Sequence, residues 1–319
     1  MKSWMYRRGL TWLWMGAVGM LSWTAGCSDS GSGTNANDRD AASGSDASVD
    51  AARTDGGTDA GTADGGDASV PWTMPMCVWN QAYQENYEAD TVADILAKAR
   101  NCYVLLDPFE SETARNAIPE IRQDGNIVGC YISVGTCEDW RADYSEMKQY
   151  CVSKAWGDWP GEYFVDRTDT GLEALMFQRI DKMANWGCDM VEFDNMDWAF
   201  DDDYRAEYGF QVTPGEGETY NQDLCQHARG KGMKCMAKST TQGAEDFDGL
   251  TVESLPQEKD WWDHDDLQNI LDAGRLGIIV HYNETDCQGI YDEYLGKYGN
   301  KLSFICEDRN LKKYVHFNQ

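Results

Sequence analysis

The chain has 319 residues, with 55 acidic side chains against 27 lysines and arginines and a formal net charge of −28. Charge of that sign excludes a partner held through phosphates, so nucleic acid is not expected, whereas a cationic polymer or a merely solubilising surface fits. Four histidines and no CxxC pair leave little from which to build a zinc centre, and neither metal nor cofactor is expected.

In chain order, Lys2, Arg7 and Arg8 precede an apolar stretch from Leu10 to Trp23 and then Thr24-Ala25-Gly26-Cys27. This is the pattern of a signal peptide over residues 1–27 rather than of a membrane span. The small residues before Cys27 resemble the lipobox of bacterial lipoproteins, which implies lipidation of Cys27 and contact with the membrane through that anchor alone. An ordinary signal peptide cut nearby is the alternative. Residues 28–70 hold nine Asp, two Arg and no aromatic residue among Ala, Gly, Ser and Thr. Such a segment has too little apolar surface to offset its ordering entropy and reads as a disordered acidic linker. Both features point to an extracytoplasmic protein, either at the cell or outer-membrane surface or secreted.

Residues 71–319 are long enough for one large α/β domain. Strand signals run from Cys77 to Asn80, Cys102 to Leu106, Ile127 to Val134, Tyr163 to Val165, Met190 to Phe193, Lys234 to Ala237, Leu250 to Val252, Leu276 to His281 and Leu302 to Ile305. Helical spacing fills most of the gaps, at residues 91–100, 113–122, 172–186, 220–231, 267–273 and 290–298. Leu172, Leu175, Met176, Arg179, Ile180 and Met183 lie on one stripe at spacings of three and four, the mark of a helix packed on a sheet. Strands alternating with helices predict a parallel sheet. Polar residues close nearly every strand: Asp107, Ser133, Asp166, Asp194, Lys238, Glu253 and Glu284. That spread favours a (β/α)8 TIM barrel over an open sheet, which gathers its polar groups at one switch point. The strand signals exceed eight by one, so one at an end is expected to be accessory. Ten cysteines besides Cys27 allow up to five disulfides in an exported, monomeric, disulfide-stabilised domain, with Cys137 to Cys151 the local pairing.

The segment Cys188 to Asp197 passes from an apolar strand into Asp194-Asn195-Met196-Asp197, and Thr251-Val252-Glu253 repeats the pattern 59 residues further on. Two carboxylates at different strand ends are what glycosidic hydrolysis requires. Several motifs then occur in order: Tyr131-Ile132-Ser133-Val134-Gly135 with Glu138-Asp139-Trp140-Arg141, Trp159-Pro160-Gly161-Glu162-Tyr163-Phe164-Val165-Asp166, Glu192-Phe193-Asp194-Asn195-Met196-Asp197, Tyr220-Asn221, Ala237-Lys238 and Glu253. From about Trp72 to Tyr314 the chain resembles glycoside hydrolase family 114, the endo-α-1,4-polygalactosaminidases. The resemblance implies a (β/α)8 barrel that cleaves galactosamine-rich polysaccharide, with Asp194 and Glu253 as the catalytic pair. After Glu253 the chain runs Ser254-Leu255-Pro256 and on through Trp261 and Trp262, where relatives commonly carry Glu-Gln-Cys, which bears on the substrate more than on the reaction.

Asp194 is assigned as nucleophile or base, with Lys238 near enough to hold it ionised, and Glu253 as general acid, desolvated by aromatic neighbours such as Trp261. Retention or inversion depends on the separation of the two carboxyls and stays open. Candidate substrate contacts are Trp79, Asp107, Tyr131, Ser133, Glu138, Trp140, Trp159, Asp166, Asn195, Asp197, Lys238 and Glu284. Indole faces stack on sugar rings and rim acids suit a protonated amine. Trp140, Trp159 and Trp198 fit a platform or the core equally, Tyr131 either points at substrate or fills a layer, and Trp186 belongs to the core. Arg141 is expected to pair with a carboxylate, and Asp201-Asp202-Asp203 to be a solvated loop rather than a calcium site. A non-catalytic glycan-binding lipoprotein, and a barrel glycosidase for another α-linked amino sugar polymer, are the competing readings.

Overall fold

A computed structural model describes residues 75–83, 89–157, 159–238, 240–256, 259–308 and 313–318, without the side chain of Trp261. The expected signal segment, Cys27, linker 28–70 and Trp72 lie outside the described residues. The elements are β1 (Val78–Asn80), α1 (Val92–Lys98), β2 (Tyr103–Leu106), α2 (Glu112–Gln123), β3 (Ile127–Ser133), β4 (Thr136–Glu138), α3 (Tyr144–Met147), β5 (Glu162–Phe164), α4 (Thr170–Trp186), β6 (Met190–Asp194), α5 (Asp202–Tyr208), α6 (Pro214–Gly230), β7 (Lys234–Lys238), β8 (Gly249–Ser254), α7 (Asp265–Asp272), β9 (Leu276–Glu284), α8 (Cys287–Tyr298), β10 (Leu302–Asp308) and β11 (Lys313–His316).

One sheet runs β1-β2-β3-β6-β7-β8-β9-β10-β11, with every neighbour parallel except the final antiparallel pair. Eight parallel strands with helices between them make the (β/α)8 barrel. Its seam is bridged by the Met76 amide, which donates to Ser303 Oγ at 3.1 Å, and by His316 Nδ1, 2.7 Å from the carbonyl of Val78. Of the nine strand signals the accessory one is not at an end, as expected, but in the middle, while the antiparallel β11 is a further end strand that no signal marked. Residues 162–164 pair antiparallel with β4 in a separate hairpin, because Cys137 is tied to Cys151 and the chain folds back before α4. The β7 to β8 connection holds only a short 3-10 turn, Ala244–Asp246, in place of a helix.

Strand alternation sorts the core into two layers. Val78, Tyr103, Leu105, Met190, Met236, Ile278, Val280 and Ile305 fill the barrel interior. Intervening residues such as Val104, Val191, Cys235 and Ile279 face the helices. Leu172, Met176, Arg179, Ile180 and Met183 form the buried face of α4, which starts on the Asp169 side chain and ends at left-handed Gly187. All ten described cysteines pair, as 77–102, 130–188, 137–151, 225–235 and 287–306. The bonds suit an oxidising compartment. Asp201 is not in a loop as expected: its side chain caps α5, and Asp202 and Asp203 occupy the first turn, where acids complement the helix dipole.

Candidate active site

The same alternation builds the site. On β6, Met190, Glu192 and Asp194 share the inward face, as do Tyr131 on β3, Met236 and Lys238 on β7, Thr251 and Glu253 on β8, and Val280 and Tyr282 on β9. Toward the strands' N-terminal ends Met190, Met236 and Val280 are apolar, and at the C-terminal ends Asp194, Lys238, Glu253 and Tyr282 are polar, so the charge is gathered at the mouth of the barrel. Lys238 lies beside Thr251 in the β7–β8 register, which sets Glu253 one pleat further out.

Lys238 joins the two carboxylates. Its Nζ is 3.0 Å from Asp194 Oδ1 and also donates to Glu253 Oε2. Two such hydrogen bonds laid end to end bound the separation of the facing oxygens at about 6 Å. Asp194 Oδ2 accepts from the Tyr131 hydroxyl at 2.9 Å, and Oδ1 accepts from the Asn195 amide at 2.8 Å. Glu253 Oε1 accepts from the Tyr282 hydroxyl at 2.8 Å. The Lys238 ammonium also lies 4.5 Å from the Tyr83 ring centroid and 5.5 Å from that of Tyr131. Burial pulls the Lys238 pKa down, but Asp194 and Glu253 more than offset it, so the pKa is raised and the amine stays charged.

One pleat below Asp194 is Glu192, fully buried, which accepts from Tyr83 at 2.6 Å and from Thr251 at 2.5 Å. Burial pushes its pKa up to about 7, against the pull of Thr251, Tyr83 and Lys238 and with a smaller push from Asp194. The folded-state value lies above the ordinary 4.5, so this group's contribution to stability is whole below about pH 4.5 and is lost as the pH rises through about 7. The loss amounts to about 3 kcal/mol. Glu192→Gln should therefore gain on the wild type as the pH is raised across that window. Urea unfolding of both proteins at several pH values reads the difference, and a pH-independent difference would contradict it.

Other expected contacts are placed differently. Arg141 grips Asp107 (3.0 and 2.8 Å) and Glu138 (2.8 and 2.7 Å), so these two acids serve a buried clamp rather than a sugar. Arg141→Met strips Asp107 of its bidentate partner and leaves Glu138 only the longer contact with Arg179 at 3.9 Å, and should cost about 4 kcal/mol, measured by chemical denaturation. Trp79 does not face the mouth: a residue on the other parity of β1, it stacks on His316 at 4.0 Å among outward-facing core residues. Ser133 is fully buried and bonds Asn195 and Thr136. Asp166 accepts the Gln211 amide at 2.9 Å, and Glu284 caps the turn into α8 by accepting from Thr285 and Asp286. Asp197 is buried in the turn after β6. Trp198 belongs to the core, its indole N–H on the Val165 carbonyl at 3.0 Å. Trp140 and Trp159, at 45% and 50% exposure, remain open to a ligand. Trp262 is buried on Ser254, and the aromatic neighbour seen at Glu253 is Tyr282. Sequence reasoning missed Tyr83, Tyr282 and Glu192. The last had a signal, since it stands two residues before Asp194 on the same face.

The sequence matches the family model described as glycoside-hydrolase family GH114 over residues 69–319. No curated protein matches it. Among solved structures, it is similar to Aspergillus fumigatus Ega3 in complex with galactosamine, with 17% identity, a TM-score of 0.58, and coverage of 78% of this chain and 96% of that one. It is also similar to the glycoside hydrolase domain of PelA from Pseudomonas aeruginosa, with 14% identity, a TM-score of 0.54, and coverage of 76% and 98%.

Proposed function

The chain belongs to glycoside-hydrolase family GH114 and is a glycosidase; from that premise we propose that it cleaves α-1,4-linked galactosamine-containing polysaccharide internally, with Asp194 and Glu253 as the catalytic pair. The observation that carries this reading is the single ammonium of Lys238 bonded to both carboxylates at the mouth of the barrel. Asp194 is the nucleophile: three donors, from Lys238, Tyr131 and Asn195, aim its oxygens. Glu253 is the acid and base, because its side chain is 34% exposed against 12% for Asp194 and so meets the leaving group first.

In the first step Asp194 bonds the anomeric carbon while the glycosidic C–O bond breaks and Glu253 gives its proton to the departing oxygen. In the second, Glu253 takes a proton from water, whose oxygen displaces Asp194. Two inversions return the α configuration. One ammonium spanning both carboxyls keeps them close together, the arrangement that double displacement uses.

The substrate class rests on charge, family and fold. The galactosamine bound to Ega3 is a cation when its amine is free, and this chain carries a net charge of −28. Trp140 and Trp159, exposed on the hairpin that follows β3, offer stacking faces for sugars beyond the cleavage point, which suits endo-action. Segment 1–27 and linker 28–70 are proposed to export this domain and tether it outside the cell through Cys27. Incubating the purified protein with partly deacetylated α-1,4-galactosaminan tests the proposal, with oligomers detected by mass spectrometry. Binding without release would make the barrel a glycan-binding module instead, and release only from another amino-sugar polymer would move the substrate.

A further inference from the structure

Behind Asp194 runs a chain of hydrogen bonds that ends in a buried carboxyl group which the reaction does not use. Asn195, the residue after the nucleophile, has left-handed backbone angles, φ 56° and ψ 33°. For any residue but glycine that conformation is uncommon, though asparagine tolerates it better than most. It aims the Asn195 amide back at Asp194 Oδ1, 2.8 Å away.

Two features hold it there. The first is packing: a Cβ at Gly135 would lie 2.0 Å from the Asn195 carbonyl oxygen, so only glycine admits the peptide in this position. The second is polar. The Asn195 side-chain amide donates to Ser133 Oγ at 3.0 Å, Ser133 Oγ lies 2.6 Å from Thr136 Oγ1, and Thr136 Oγ1 donates to Glu162 Oε2 at 2.7 Å. A consistent direction runs through all three bonds, because an amide N–H can only donate, which leaves the Ser133 hydroxyl free to donate to Thr136 and Thr136 to Glu162. Every member is buried, and Glu162 comes from the β4–β5 hairpin, not from the barrel.

We infer that Glu162 is a positioning residue for the nucleophile: through Thr136 and Ser133 it fixes the Asn195 side chain, and so the left-handed peptide whose amide orients Asp194. The inference rests on the reading of Asp194 as nucleophile and extends it to the accessory hairpin. Burial, with Glu138 beside it, pushes the Glu162 pKa up to about 8 against the pull of Thr136, so at neutral pH the relay ends in a neutral acceptor. Buried relays of this kind raise the stakes of each member, since one broken bond leaves the next group unsatisfied.

The test compares Thr136→Val, which removes the hydroxyl at constant shape, with Thr136→Ser, which restores it. Thr136→Val should lower kcat by about 10²-fold, the scale of a displaced catalytic group, with KM changed by no more than roughly twofold, and Thr136→Ser should recover most of the loss. If Thr136→Val does not fold, Glu162→Leu and its rescue by Glu162→Gln take its place. In parallel, the Asn195 amide proton, downfield in the wild type because it donates to a carboxylate, should move upfield in the hydroxyl-free variant alone. Equal kcat in the valine and serine variants, or an unmoved amide resonance, overturns the inference. Should the wild type release no oligosaccharide, the reading of galactosaminan cleavage fails, and the resonance still decides whether the relay orients Asp194.

Discussion

Asp194→Asn is expected to lower kcat by about 10⁴-fold without unfolding the protein. The amide has the shape of the carboxylate and can keep its oxygen toward Lys238 and the Asn195 amide, while its NH2 group faces Tyr131, whose hydroxyl can turn to accept. What it lacks is the lone-pair charge that attacks an anomeric carbon. Added azide separates the two carboxyls' roles. With Asp194→Gly the azide takes the place of the nucleophile and gives a β-glycosyl azide, whereas with Glu253→Ala it attacks the glycosyl-enzyme and gives the α-azide. Retention of a tenth of wild-type turnover by Asp194→Asn would remove Asp194 from the mechanism. The same azide anomer from both variants would refute the division of labour.

How much of this was legible beforehand follows from the range of each contact. The run from Cys188 to Asp197 announces a strand that ends in acids, and its register next to β7 brings Lys238 alongside, so the pairing of Asp194 with Lys238 needed only neighbouring strands in order. Glu253 could be named from the same local pattern. Tyr282 and Tyr83 could not: Tyr282 reaches Glu253 from β9, and Tyr83 reaches Glu192 from the loop after β1, contacts fixed by closure of the barrel and the tilt of its strands.

Trp79 shows the other kind of failure. A strand of three residues gives too short a run to establish parity, and its indole turned out to face His316 outside the barrel. The strand signal at 163–165 was sound as a strand and misleading as a barrel member, because period-two alternation does not say which partner a strand will take. That hairpin also carries the two exposed tryptophans and Glu162, so the least barrel-like part of the domain reaches both the candidate platform and the back of the nucleophile.

Replacing Lys238 by Met should be nearly as damaging as losing the nucleophile, and for a different reason. The ammonium is 1% exposed, caged by two tyrosine rings and bonded to both carboxylates. Without it, whenever both carboxyls are ionised, two like charges about 6 Å apart repel by about 3 kcal/mol at an effective dielectric constant near 20. The pair is then expected to hold a shared proton and lose the split in roles on which double displacement depends. We expect kcat to fall by about 10³-fold, the pH at which activity rises to move upward, and stability at neutral pH to drop by about 3 kcal/mol, a loss that shrinks in acid as the shared proton is taken up. Lys238→Arg should not rescue, since a planar fork does not fit a cage shaped around a compact ammonium. An unchanged pH profile in Lys238→Met would mean that the cation only fills space beneath the carboxylates, and the convergence of Asp194 and Glu253 would need another cause.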